Sequence, residues 1–305
     1  MIRRLGPTDL LRQVLPGRLG GEPLAFTRDA LARPPRRLGP GELARWSVAT
    51  PKPETALGSV RGGRLEAAAL LRPRSGPRAW EVARLFASEG THDELEALLE
   101  GCVSHAGSRG GERVFLRLRS GSAAPAAARA GFVPAFTEEV FRRSTALVPG
   151  SGGPSLALRP VLPADDYGLF RLHNAALPTE VRAAGGLTFE QWRDARERPA
   201  GTVREYVREE RDSVRCWLRL EQAGGLLTVD AVPHPDDAWA ADRLIGDTAV
   251  LARGHTSAAW IVPSYAPALA AALQQRGWAA SERYAVLVRP VALPVREPSL
   301  AAVRA

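Results

Sequence analysis

Lysine is almost missing from this chain. Lys52 is the only one, so 40 of the 41 basic residues are arginine. Cysteine is nearly as scarce, with Cys102 and Cys216 placed one in each half. That excludes a disulfide framework or a cysteine-built zinc site and leaves reduced, buried thiols. The longest apolar runs are strand-sized and fall well short of the ~18 residues of a membrane span. The opening Met1-Ile-Arg-Arg-Leu-Gly-Pro7 lacks the apolar core and small-residue cleavage site of a signal peptide, so the expectation is a cytoplasmic protein with no membrane partner. No Gly-x-Ser-x-Gly elbow and no Gly-x-x-x-x-Gly-Lys loop occurs. Metal is not expected either. His92 sits among helix caps, His105 follows an apolar helix face, and neither has a cysteine or carboxylate at ligand spacing.

What is present is length and arginine. The 305 residues, 45% of them hydrophobic, suit two globular domains of about 150 residues each. The formal charge of +8 is lopsided: residues 1–150 hold 23 basic and 15 acidic groups, an excess of 8, while 151–305 hold 18 of each. Part of the excess lies in Arg33-Pro-Pro-Arg-Arg37 and Arg72-Pro-Arg-Ser-Gly-Pro-Arg78. Such arginines read first as solvated turns and loops, and in the alternative as a patch that attracts acidic or phosphate-bearing partners. No aromatic residues interleave with these arginines as stacking platforms, so nucleic acid ranks well behind a small-molecule partner. Oligomeric state is left open.

The order of elements occurs twice. In the second half an apolar run, Leu226 to Val232, breaks at Pro233-His-Pro-Asp-Asp237 and leads into a helix from Ala238 to about Ala252. A strand (Ala258–Val262), a helix (Ala266–Arg276), a Gly277-Trp278 stop and a last strand (Tyr284–Val288) follow. The first half offers Trp80–Phe86, a helix Glu94–His105, a strand Arg113–Leu118, a helix Ala123–Ala130, a Gly131-Phe132 stop and Glu139–Arg142. Matched order over this length is the mark of an internal repeat. Val148-Pro-Gly-Ser-Gly-Gly-Pro154 reads as a linker between residues 1–147 and 155–293, with 294–305 as a tail. Each half reads as a mixed α/β domain, a largely antiparallel sheet flanked by helices.

The two stops, with the lead-ins Ile2-Arg-Arg-Leu-Gly-Pro-Thr-Asp9 and Leu158-Arg-Pro-Val-Leu-Pro-Ala-Asp165, resemble motifs of the GCN5-related N-acetyltransferase superfamily. The resemblance covers nearly the whole chain and implies two tandem acyl-CoA N-acyltransferase-like domains, with acetyl-CoA or another acyl-CoA as cofactor and a small-molecule amine as acceptor. It also implies a glycine-rich loop after the fourth strand, where backbone N–H groups and a helix N-terminus receive the diphosphate. Both copies depart from that pattern. The first reads Ser88-Glu89-Gly90-Thr91-His92-Asp93 and the second His234-Pro-Asp-Asp-Ala238-Trp239, with Val232 just before it. Acidic residues there cap a helix well but repel a diphosphate.

The resemblance also implies a tyrosine acid four residues before each stop. Ala127 and Leu273 stand at those positions, which leaves Tyr265, nearer the start of the same helix. A general base is expected on or just after the fourth strand. Glu81 and Glu89 qualify in the first half, Asp230 and His234 in the second, and His234 has the best intrinsic pKa for the task. His173-Asn174 either lines a pocket or sits on a polar helix face, and His255 falls at a helix terminus. The seven tryptophans read as core residues. Two functions follow from this reading: an acyltransferase of reduced activity, or a non-catalytic descendant that binds a small molecule or a partner.

Overall fold

Twelve strands form one continuous sheet, and their order is the fold's most informative property. The computed structural model describes residues 1–6, 22–33, 54–62, 64–88, 91–119, 123–143, 157–185, 188–237, 239–252, 255 and 257–292. The proposed linker 148–154 and the tail 294–305 lie outside the described residues. The first half supplies β1 (Ile2–Arg4), β2 (Thr55–Arg61), β3 (Arg64–Pro73), β4 (Ala79–Ala87), β5 (Arg113–Arg119) and β6 (Val133–Arg143). The second supplies β7 (Arg159–Pro160), β8 (Thr202–Glu210), β9 (Ser213–Ala223), β10 (Leu226–Pro233), β11 (Ala258–Pro263) and β12 (Ala279–Pro290). The helices are α1 (Arg28–Leu31), α2 (His92–Gly107), α3 (Ala123–Arg129), α4 (Asp166–Ala176), α5 (Thr179–Gly185), α6 (Phe189–Ala195), α7 (Ala240–Leu251) and α8 (Pro267–Gln275).

Local chemistry accounts for the repeated signals. Gly131 (φ +76°) and Gly277 (φ +78°) adopt the left-handed conformation that ends α3 and α8. In each, the residue after glycine donates back into the helix, Phe132 to Ala127 (2.9 Å) and Trp278 to Leu273 (3.0 Å). Both aromatic rings are buried. The lead-in motif has a similar logic, because Asp165 takes a two-pronged bond from Arg159 (2.7 and 2.8 Å) and caps Leu162 N. The alanine-rich run 65–71, helical by propensity, is strand β3 because Ala67, Ala68, Ala69 and Leu71 are buried between β2, β4 and α2. β2 carries no strong sequence signal and is set by that pairing.

The sheet order is β1-β2-β3-β4-β5-β12-β6-β11-β10-β9-β8-β7. It reads the same backwards once each strand is exchanged for its counterpart in the other half, which makes the repeat a structural fact. The sequence reading gives each half its own last strand, but the structure exchanges them. β12 lies beside β5 of the first half, β6 lies beside β11 of the second, and the two exchanged strands pair with each other along the centre (Tyr284 opposite Glu138). Neither half-sheet comes from one continuous stretch of chain. β6 and β12 run to 11 and 12 residues, where the sequence pattern marks only part of each.

The core of each half therefore includes residues from the other, as Leu287 in the first core and Phe141 in the second show. Residues 1–147 and 155–305 expressed separately are expected to be poorly folded by circular dichroism and to recover a cooperative transition when mixed as a 1:1 complex. A monomeric, cooperatively folding 1–147 fragment would contradict the exchange.

Candidate functional site

In each half one strand pair is parallel and diverges. β4 and β5 are in register from Ala79↔Arg113 to Val82↔Leu116, and β10 and β11 from Leu227↔Ala258 to Val229↔Trp260. Beyond those points the strands part and leave a V-shaped split.

The first-half split is filled by the chain itself. Leu24 N donates to Leu85 O on β4 (2.7 Å) and Phe26 N to Arg117 O on β5 (3.0 Å). Ala25 bridges both strands and is fully buried. Residues 24–26 thus occupy the backbone positions that a ligand would need. In the second half, no segment among the described residues bridges β10 and β11 past Val229. That split opens into a cavity of about 220 Å³ lined by Ala231, Val232, Pro233, His234, Ala268 and Leu269 among others.

A second cavity of about 200 Å³ lies where the halves meet, under α4 to α6, with Phe115, Arg117, His173, Asn174, Trp192 and Trp217 in its wall. The two cavities share Ala231, Val232 and Tyr265. His173 packs between Trp192 and Trp217, with ring centroids 5.6 Å from each. Burial first, then the cations Arg196 and Arg28, lowers its pKa from 6.5 to about 4. At neutral pH it is an uncharged imidazole. Tyr265 stands just before α8, edge-on to Phe136 (5.4 Å), and burial raises its pKa so that the phenol keeps its proton.

The floor of the central cavity is ionic. Asp230 on β10 accepts from Arg28 Nε (3.0 Å) and Nη2. Arg28 also donates to Glu138 (2.5 Å), and Glu138 accepts from Arg117 (2.6 Å). Arg117 donates to Glu197 (2.5 Å), which lies 3.4 Å from Arg74. Arg74 lies 3.2 Å from Glu81, and Arg72 donates to Glu81 at 2.7 Å. Four arginines and four carboxylates alternate across the seam. Burial alone would raise the pKa of Glu197, but Arg117, Arg74 and Arg28 together hold it far below the usual carboxylate range.

This arrangement corrects two expectations. Asp230 and Glu81, read from the sequence as bases, are the terminal carboxylates of the ionic chain. Each is already bound to arginine, so its oxygens are engaged within the ionic chain. Of the other candidates, His234 lines the split but not the central cavity, and its Nδ1 accepts from Asp236 N (3.3 Å). Val232 sits where the cavities join. Trp239 is exposed and lies between Arg208 and Arg243, 4.8 and 4.3 Å from its ring. Ser88 accepts from Thr91 Oγ1 (2.7 Å) beside the closed split, so both belong to a structural turn. Glu89, Gly90 and Ala238 lie outside the described residues. Trp80, Trp260 and Trp278 are buried in the core, Trp192 and Trp217 are partly buried against the core cluster of Leu169, Leu172 and Val207, and Trp239 is exposed.

No known family profile matches the sequence, and no curated protein does. Solved structures do. One is a GCN5-related N-acetyltransferase from Sphaerobacter thermophilus, which matches at TM-score 0.55 with 14% identity over 95% of each chain. This chain has the GCN5-related N-acetyltransferase fold, in tandem. A putative acetyltransferase from Pyrococcus horikoshii matches over 96% of this chain and 90% of its own at TM-score 0.50 and 11% identity. A functionally unknown protein from Staphylococcus epidermidis matches over 77% and 95% at TM-score 0.51 and 9% identity.

With the N-acetyltransferase fold in place, the open split is where an acyl-CoA is tested. Its apolar wall of Ala231, Val232, Pro233, Ala266 and Leu269 fits a slender, extended arm. The loop that follows offers no glycine nest, since Asp237 N bonds His234 O and Ala240 N bonds Asp237 O (both 2.9 Å). Asp237 is paired with Arg215 (3.0 Å) and Arg208 (3.4 Å), Arg208 is also held by Glu210 (2.7 Å), Asp236 is exposed, and Arg243 over Trp239 brings a cation to the start of α7. The fit is good for the thioester arm. A diphosphate at the start of α7 would meet guanidiniums such as that of Arg243 in place of loop amides. No group of His, Cys, Asp and Glu among the described residues could hold a metal, and no described helix is long and apolar enough to cross a membrane.

Glu138 is fully buried between Arg28 and Arg117. Glu138→Gln is expected to cost about 3–5 kcal/mol in urea denaturation, because it strands buried positive charge. A loss under about 1 kcal/mol would place the ionic chain among pairs of surface strength. His173 gives a pH signature. Its folded pKa is about 4 against 6.5 ordinarily, so between those values the unfolded chain binds the extra proton. Stability is therefore lost as pH falls from 6.5 to 4, and the difference in Tm between wild type and His173→Asn should shrink across that window. A difference independent of pH would mean that folded His173 titrates normally.

Proposed function

We propose that the protein transfers an acyl group from an acyl-CoA in the second-half split to an amine in the central cavity, and that the first half serves as scaffold. One observation carries this reading: the open split and the central cavity meet at Ala231, Val232 and Tyr265, while the equivalent split is plugged by residues 24–26. A bound acyl-CoA supplies a thioester carbonyl open to direct attack by an amine, so no covalent enzyme intermediate is required. This chain's residues orient the partners and handle protons. Tyr265 Oη holds a proton at the junction and suits the role of donor to a departing thiolate. His173, an uncharged imidazole in the wall of the central cavity, orients the attacking amine by hydrogen bonding, since a pKa lowered to about 4 makes it a weak base. Arg28 steadies the vertex of the split, binding Asp230 on β10 and Ile261 O on β11 (3.3 Å). A rival reading, a binding module without catalysis, predicts the same ligand site but no turnover.

Acetyl-CoA is expected to raise Tm, since a ligand at about 100 times its Kd adds about 2.7 kcal/mol to the native state. Ala268→Trp fills the mouth of the split from an exposed position and should abolish the shift without lowering the Tm of the free protein. Tyr265→Phe should retain the shift and lower the transfer rate by about 10²–10⁴. No shift in the wild type at millimolar acetyl-CoA would sink the proposal. A shift with no turnover on any amine would favour the binding module.

A further inference from the structure

The central cavity carries donors that the fold leaves without acceptors. Six arginines line it against two carboxylates, Glu197 and Asp230. Arg28, Arg74 and Arg117 are paired within the ionic chain, and Arg196 is paired with Asp166 (3.4 Å) and Glu205 (2.9 Å). The last two differ. Arg219 on β9 is 9% exposed and gives Nη2 to Glu221 (2.6 Å), but its buried Nε has no partner. Arg182 on α5 donates to Thr179 Oγ1 (3.1 Å) and has no carboxylate partner among the described residues. Trp217, two residues before Arg219 on the same face of β9, also has a buried Nε1–H without an acceptor. Buried donors in folded proteins find acceptors, from protein, water or ligand.

The geometry points to an acceptor substrate that is a small amine bearing a carboxylate, with the carboxylate received at Arg182 and Arg219. This deepens the transfer reading and rests on it. An amine alone brings no acceptor oxygen to these groups. A carboxylate is acceptor-only, with roughly four lone-pair sites, and matches the guanidinium fork. The cavity, at about 200 Å³, is smaller than the roughly 300–1,000 Å³ pockets that hold drug-sized ligands, which selects for a small molecule. Flat walls accompany the donors. His173 lies between Trp192 and Trp217, and an aromatic row runs outward from Trp192 through Phe189 (5.8 Å) to exposed Tyr167 (5.9 Å further). An apolar body between the amine and the carboxylate fits that lining.

The test uses three matched pairs by calorimetry on the full chain: L-phenylalanine with 2-phenylethylamine, L-leucine with isoamylamine, and L-tryptophan with tryptamine. Acetyl-CoA binding is measured on the same preparation. The proposal expects the carboxylate-bearing member to bind about tenfold more tightly in at least one pair, a ratio worth one charge-assisted contact. It also expects Arg182→Gln, near the surface and outside the ionic chain, to erase most of that ratio, with Arg182→Lys restoring part of it. Arg219→Gln should do the same if it folds. If acetyl-CoA binds but every decarboxylated amine binds at least as well as its partner, the proposal is overturned and the transfer reading stands. The same follows if no member of any pair binds at millimolar concentration, or if Arg182→Gln leaves the ratio unchanged. Failure of acetyl-CoA itself to bind overturns the transfer reading, and this proposal falls with it.

Discussion

The structure depends on an alternating run of charges that no single half could assemble. Asp230, Arg28, Glu138, Arg117, Glu197, Arg74, Glu81 and Arg72 follow one another from β10 to β3, each within ion-pair distance of the next. Stripping water from any one of them costs several kcal/mol, and attraction repays this only when partners sit on both sides. The alternation meets that condition at each interior member, and the run is neutral overall. Its worth lies less in net stability than in fixing position. The carboxylates come from β4, β6, β10 and the loop after α6, so the pattern closes only when the exchanged strands and the α4–α6 layer are in place together.

Arg28 joins this ionic run to the fate of the two clefts. Residues 24–26 lie between β4 and β5 and complete their backbone bonding. Two residues later, Arg28 reaches into the other half and ties Asp230 to the edge of β11. One short segment thus closes one split and braces the vertex of the other. The two clefts of the repeated fold are therefore not equivalent: the first is filled by the chain, and the same segment contacts the second.

Much of the architecture was legible in the sequence because it rests on local rules. The Gly-aromatic stops at Gly131-Phe132 and Gly277-Trp278 demand left-handed glycine at a helix end, and most strands show as apolar runs bounded by turns. The strand exchange was not legible, since β6 and β12 carry patterns that satisfy either partner. Nor was the plug, because Leu24-Ala25-Phe26 has no signature beyond being apolar. The site was read least well. Tyr265 and Val232 lie where the cavities join, but His173 was distinguishable from a polar-face histidine only by tryptophans 19 and 44 positions away along the chain.

Asp230 and Glu81 show why residue type and strand position are weak guides to catalysis. A carboxylate on the fourth strand of this fold reads as a base from its position alone. What decides the matter is a partner remote in sequence, since Arg28 lies 202 residues from Asp230. A carboxylate bound to two guanidinium nitrogens has its oxygens engaged, so Asp230 holds geometry across the seam. The imidazole of His173 and the phenol of Tyr265, which burial keeps neutral, stand instead in the wall of the cavity. The same desolvation that makes each buried charge depend on its partners keeps these two groups uncharged, and the cavity places both at its walls.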